Sequence, residues 1–158
     1  MHTAVQRVRE VLAEHGAPVS TVELPDPAPT AAAAAAQLGC AVGAVANSIV
    51  FRVDGTPLLV VTSGGHRVDT RLLAGLCGVA HRRVRRADPD YVLEVTGQRV
   101  GGVAPIGHPA PLPTLIDEHL YAYPDIWAGA GLAHTVFRTT CADLVRLTGA
   151  GTARVAGD

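Results

Sequence analysis

The sequence predicts a single-domain α/β fold in which short helices pack around a mixed β-sheet. Three observations carry that prediction. The chain has 158 residues, enough for one proper core and too few for two ordinary ones. Strand-like and helix-like runs are interspersed along it, with no repeat and no linker that would divide it. Two β-rich runs, residues 48–53 and 58–62, flank Asp54-Gly55, a hairpin signal that excludes a purely parallel sheet.

The elements follow in order. Val5, Val8, Val11 and Leu12 fall on one face of an amphipathic helix that Gly16 can end. Val19 to Leu24 alternates as a strand, and Pro25, Pro27 and Pro29 then break the chain. Thr30 is a fit N-cap for a helix from Ala31 to Leu38, closed by Gly39. After the hairpin, Asp69 caps a helix through Leu72, Leu73 and Leu76 that Gly78 closes. Asp88-Pro89 is a second start, a cap followed by proline at the first helical position, with Gly97 as its end. Residues 112–116 and 135–138 read as strands. Thr140 with Asp143 forms a variant capping box ahead of Leu144, Val145 and Leu147.

Composition bounds the function. Nearly half of the residues are apolar (48%) and 17% are charged, as expected of a folded globule. The net charge of −1 provides no global basic field, so any nucleic-acid contact must come from a local patch or from shape. Cys40, Cys77 and Cys141 lack metal-ligand spacing and read as reduced, buried thiols of a cytoplasmic protein. The longest apolar stretch, Ala31 to Ala36, is far too short to span a membrane. Charged residues spread through the first helix argue against a signal peptide.

The segment Gly101-Gly102-Val103-Ala104-Pro105-Ile106-Gly107 carries the chemistry. Its glycines allow the backbone to approach a ligand closely and leave N–H groups free to donate. The same composition also suits a plain tight turn. The order of segments around it is more specific. Val45-Ala46-Asn47-Ser48-Ile49-Val50-Phe51 precedes the hairpin. Leu72 to Gly78, Ala87-Asp88-Pro89-Asp90, the GxxxP motif of Gly101 to Pro105, Leu115-Ile116-Asp117-Glu118 and Ile126 to Gly131 follow. This series resembles the aminoacyl-tRNA editing family of YbaK and the prolyl-tRNA synthetase insertion domain, over about residues 30–156.

The resemblance implies a curved mixed sheet, partly closed and barrel-like, wrapped by helices, with a pocket on its concave side. It implies a metal-independent, cofactor-free hydrolase that cleaves the ester of a mischarged tRNA, of the tRNA-Pro trans-editing type. The partners would be the 3′ acceptor end of an aminoacyl-tRNA and a synthetase, with no role for DNA or a membrane. The loop at Gly101, Gly102, Val103, Ala104 and Pro105 would hold the ester end. His108, Asp117, Gly129, Ala130, Gly131 and His134 would line or shape the substrate pocket. The family commonly carries a lysine where this chain has Asn47; asparagine keeps donors and an acceptor but lacks the charge. Asn47 is therefore either a polar anchor for the substrate or a residue that satisfies backbone groups before a strand.

The physical rationale for such an enzyme is general. A synthetase pocket rejects a side chain one methylene smaller by only about 1–3 kcal/mol, so a second pocket must remove the errors. An ester is already activated, and its hydrolysis needs mainly positioning and stabilisation of the oxyanion.

Other features admit two readings. The basic run Arg82-Arg83-Val84-Arg85-Arg86 could meet acceptor-stem phosphates or simply be solvated. His66, His81, His108, His119 and His134 match no metal-binding spacing. Ser63-Gly64-Gly65-His66 resembles a nucleophile turn without its full motif, which leaves a small-ester hydrolase as a rival. Trp127 reads as core. A non-catalytic module of the same fold that binds tRNA or a protein is the other rival.

Overall fold

The computed structural model describes residues 2–157. Its five α-helices are α1 (Thr3–Glu14), α2 (Ala31–Leu38), α3 (Thr70–Cys77), α4 (Pro89–Thr96) and α5 (Cys141–Thr148). Its strands are β1 (Thr21–Glu23), β2 (Val45–Val53), β3 (Thr56–Ser63), β4 (Val84–Arg86), β5 (Thr114–Asp117), β6 (Ile126–Gly129), β7 (Thr135–Thr139) and β8 (Gly151–Ala153). None of these helices is long and apolar enough to cross a membrane.

Local chemistry sets the helix ends. The side chains of Thr30, Asp69, Asp88 and Thr140 accept amide hydrogens at the starts of α2, α3, α4 and α5. Each of these helices ends on a left-handed glycine: Gly39, Gly78, Gly97 and Gly149. The β2–β3 hairpin turns on Asp54 (φ 50°) and Gly55 (φ 85°), both in the positive-φ region that a two-residue turn demands. β1 is shorter than the sequence pattern suggests, since Pro18 and Pro25 bring no amide donor to either flank.

The strands form one mixed sheet in the order β1-β7-β6-β2-β3-β5-β8. β2–β6, β3–β5 and β5–β8 are parallel and the other pairs antiparallel. β1 and β8 stand at opposite ends of the ladder, so the sheet is open. Among the described residues β1 and β8 do not pair with each other, so the partial closure that the family resemblance implies is not made by strand pairing.

Both faces are covered. Alternation along β3 sends Leu59 and Val61 into one core with Val8 and Leu12 of α1, Ile116, Phe137 and Leu144 of α5. It sends Val60 into a second core with Phe51, Val53, Val84 and Leu73 of α3. A third, small cluster joins Leu24 and Val45 beneath Ala34 and Ala35 of α2. Each fully buried Leu or Phe contributes roughly 1.5–3 kcal/mol of apolar burial.

One irregularity positions the site. The free edge of β2 is shared by two strands. β6 pairs with it at Val45 and Ala46, and β4 pairs with it at Phe51, Arg52 and Val53. Residues 47–50 lie between them with no strand on that edge. The sheet is split there.

Candidate active site

A cavity of about 500 Å³ occupies the split, within the usual range of roughly 300–1,000 Å³ for small-molecule sites. Its floor is β2 from Val45 to Val50. Its walls come from the start of α2 (Thr30, Ala31, Ala34), the end of β4 (Arg86), the loop Val100–Val103, Trp127 and Gly129 of β6, and His134. The N-terminal end of α2 contributes a partial positive potential. Arg86 is the only permanently charged side chain in the lining.

Gly101 sits at the third position of a turn in which the Gly102 amide donates to Arg99 O at 3.2 Å. Its φ of +101°, with Val100 outside the positive-φ region, makes this a type II turn that needs glycine there. Gly102 is required for a different reason. A Cβ at this residue would lie 2.4 Å from Leu132 C and 2.6 Å from Ala133 N, both backbone atoms. The Gly102 carbonyl accepts from the Gly131 amide at 2.8 Å. At Gly129, a Cβ would come within 2.7 Å of Val103 O. The loop and the β6–β7 connection are therefore pressed together backbone to backbone.

Gln98 fixes the rest of the motif. It is buried, its Oε1 accepts from the Ala104 amide at 2.7 Å, and its Nε2 donates to Ile106 O at 3.3 Å. His108 Nε2 donates to Ala104 O at 2.8 Å. Burial pushes the His108 pKa down, and that hydrogen bond partly opposes the shift. After these bonds, the amides of Gly101 and Val103 are the motif's donors without a partner among the described residues. Both residues line the cavity.

Two polar side chains of β2 are also without partners. Ser48 belongs to the cavity lining, but its Oγ is buried out of reach of the cavity's water and has no hydrogen bond among the described residues, an arrangement that is rare in native structures. Asn47, half-buried and opposite Thr62, makes no side-chain hydrogen bond among the described residues. Its amide group is not engaged in ordering the strand start. At the rim, His134 holds a left-handed backbone (φ 67°), unusual for a non-glycine residue. Its Nδ1 accepts from the Ala28 amide at 3.4 Å, which leaves the proton on Nε2.

The structure thus brings Asn47, Gly101, Gly102, Val103, Gly129 and His134 around one cavity. Gly102 is there through its backbone packing, and the turn engages its amide, so it is not a free donor. The other expected site residues lie off the cavity lining, each for a reason. Ala104 and Pro105 are buried beneath the loop, and His108 buttresses it from behind. Ala130 is fully buried, its amide bonded to Thr135 O, and Gly131 packs against Ala4 of α1. Asp117 is buried and saturated. It accepts from Thr62 Oγ1, the Ser63 amide, His66 Nδ1 (2.8 Å) and the His119 amide. It joins the ends of β3 and β5 and lies off this cavity's lining.

That network also answers the small-ester reading. His66 pairs with Asp117, but Ser63 Oγ donates to Gly43 O at 2.6 Å, and neither residue lines the cavity. The expectation of three buried thiols also changes: Cys77 is exposed, Cys40 intermediate and Cys141 buried. Burial, reinforced by the Asp117 charge, pushes the Cys141 thiol up to about 11, so it is no nucleophile at neutral pH. Trp127, expected in the core, is half-buried on the cavity wall because β6 ends at the split. Gln98, Ser48 and Arg86 were not singled out as site residues by the sequence. Ser48 beside Asn47 and Arg86 within its basic run were the available signals.

The chain belongs to the aminoacyl-tRNA editing domain family, whose model matches residues 25–147. It is 36% identical to a candidate trans-editing enzyme for prolyl-tRNA synthetase of known structure, with a TM-score of 0.92 over 100% of this chain and 99% of that one. The hypothetical protein APE2540 is 28% identical, with a TM-score of 0.86 over 96% of this chain and 99% of that one. The uncharacterized protein YwhH of Bacillus subtilis (strain 168) is 27% identical over 112 residues, 70% of this chain and 69% of that protein.

Proposed function

We propose that the chain is an aminoacyl-tRNA deacylase that acts in trans on the 3′ end of a mischarged tRNA, of the tRNA-Pro type. The observation that carries this reading is the pair of unpartnered amides in Gly101 and Val103, two residues that line one cavity in an editing-family fold. In the proposed reaction water adds to the ester carbonyl, and negative charge develops on the carbonyl oxygen. The two amides, held by a turn and by the Gln98 clamp, donate to that oxygen without having to reorganise. The ester C–O bond then breaks, the ribose oxygen leaves and takes up one proton of the attacking water, the water's other proton passes to solvent, and the amino acid is released as its carboxylate. A neighbouring ribose hydroxyl positions the water. Asn47 anchors the terminal nucleoside, and His134 donates from Nε2 at the rim. No step needs a metal, a cofactor or a thiol.

The test is a titration of the isotopically labelled protein with an aminoacyl-adenosine analogue whose ester is replaced by an amide. The Gly101 and Val103 amide resonances should shift more than any others in the loop. Shifts confined to the Asp117–His66 region would place the ligand elsewhere.

A second reading, a module that binds the tRNA end without cleaving it, is favoured by one observation. Among the described residues the lining holds no carboxylate, and the chain contains no lysine. Single-turnover hydrolysis separates the two. Asn47→Ala should slow a deacylase by a few-fold to about a hundred-fold, the worth of one hydrogen bond. Activity absent from the wild type but present in Asn47→Lys would establish the binding module.

A further inference from the structure

Arg52, Arg82, Arg83, Arg85 and Arg86 are all exposed, and they cluster where β4 meets β2. Only Arg83 has a carboxylate within ion-pair distance among the described residues, Asp54 at 3.5 Å. Arg52 and Arg85 are directly opposite each other in the β2–β4 register. Like charges at such a cross-strand pair are destabilising. Arg52 lies over the Tyr91 ring at 4.1 Å, which holds its guanidinium in place without neutralising it. The nearby carboxylate of Asp88 is engaged in capping α4.

The geometry continues from this cluster into the cavity. Among the described residues β4 pairs with β2 alone, so no strand covers its far edge. Strand alternation places Arg85 and Arg86 on its two faces, flanking that edge. Arg86, opposite Phe51, is the β4 residue nearest the split, and it is the one permanent charge in the cavity lining. Arg86 lies at the cavity on one face of β4 and Arg85 with Arg52 on the other, so a chain of phosphates leaving the cavity meets Arg86 first and reaches Arg85 and Arg52 by wrapping the far edge of β4.

We propose that this arginine cluster is the track for the RNA backbone at the acceptor end. Arg86 holds the phosphodiester next to the terminal nucleoside, and Arg85 with Arg52 holds the phosphates beyond it. The repulsion between Arg52 and Arg85 is then a cost in the free protein that RNA phosphate relieves. This assignment rests on the reading of the cavity as an aminoacyl-adenosine site.

The experiment measures binding of an uncharged acceptor-stem minihelix ending in CCA, across a salt series. Wild type is compared with Arg86→Gln, Arg85→Gln and Arg52→Gln, and with Arg7→Gln, an arginine already facing Glu10 in α1. Each of the first three variants should bind roughly tenfold more weakly at low salt. Each should also flatten the slope of log K against log salt by about 0.7–0.9, the signature of one lost phosphate contact. Arg7→Gln should match wild type. Arg85→Gln should unfold at the same or a higher temperature than wild type. In turnover, Arg86→Gln should lose at least tenfold more on an aminoacyl-minihelix than on phosphate-free aminoacyl-adenosine. Unchanged salt slopes, equal losses on both substrates, or a lowered Tm in Arg85→Gln would overturn the proposal. If the wild type cleaves no ester yet its RNA binding shows these dependences, the deacylase reading fails and the phosphate track stands.

Discussion

Gln98 shows how much of the site rests on a residue that touches no substrate. One buried amide side chain both accepts from Ala104 and donates to Ile106, bracketing Pro105. Gln98→Leu keeps the volume but leaves both backbone groups unpaired, at about 1–3 kcal/mol each. Chemical denaturation should register that loss, and the variant should deacylate less well than its stability alone explains. His108 gives a pH-dependent counterpart. Its folded pKa is lowered, so the folded protein favours the neutral ring. Its contribution is complete above the ordinary value of 6.5 and is lost as pH falls below that, when the unfolded chain binds the proton more readily. Melting temperatures recorded between pH 8 and pH 5 should fall more steeply for wild type than for His108→Gln. Parallel curves would show that His108 does not titrate with folding.

At the scale of elements, the decisive feature is a strand whose edge is paired at both ends and free in the middle. β2 reads in the sequence as a strand, and its hairpin to β3 follows from Asp54-Gly55. The split does not, because it depends on β4 and β6. β4 is three residues long and lies in an arginine-rich run that has little strand propensity of its own. β6 contains Ala128 and Gly129 and forms through its neighbours. The caps were legible since they depend on local hydrogen bonds: Thr30, Asp69, Asp88 and Thr140 act where the sequence places them. The same division holds for the GxxxP loop. Its glycine content is visible in the sequence, but which glycine does what depends on distant partners. Gly102→Ala should test this, because its Cβ meets backbone that cannot rotate away. The expected result is a destabilisation of about 1–3 kcal/mol together with reduced deacylation, whereas Gly75→Ala on the exposed face of α3, with nothing within 4 Å, should cost neither. Equal effects of the two substitutions would mean that the loop tolerates being pried from Leu132.

For the whole molecule, the family and the mixed sheet were legible in the order of the segments. The cavity's membership was legible in part. Asn47, the Gly101–Val103 loop, Gly129 and His134 converge from four places along the chain, while Asp117, His108 and Gly131 turn out to support the framework. Sequence proximity to the motif misled at His108, and a polar residue at a strand end misled at Asp117. In both cases the side chain serves a buried backbone group that only the fold reveals. Under the proposed function, this cavity hydrolyses an aminoacyl ester with backbone donors and no metal. Single-turnover deacylation of a panel of mischarged tRNAs, with a strong chelator present throughout, tests it most directly. The expected result is hydrolysis of at least one mischarged tRNA-Pro, undiminished by the chelator and reduced in Gly102→Ala. No hydrolysis of any member of the panel by the folded wild-type protein, or activity lost to the chelator and restored by zinc, would contradict it.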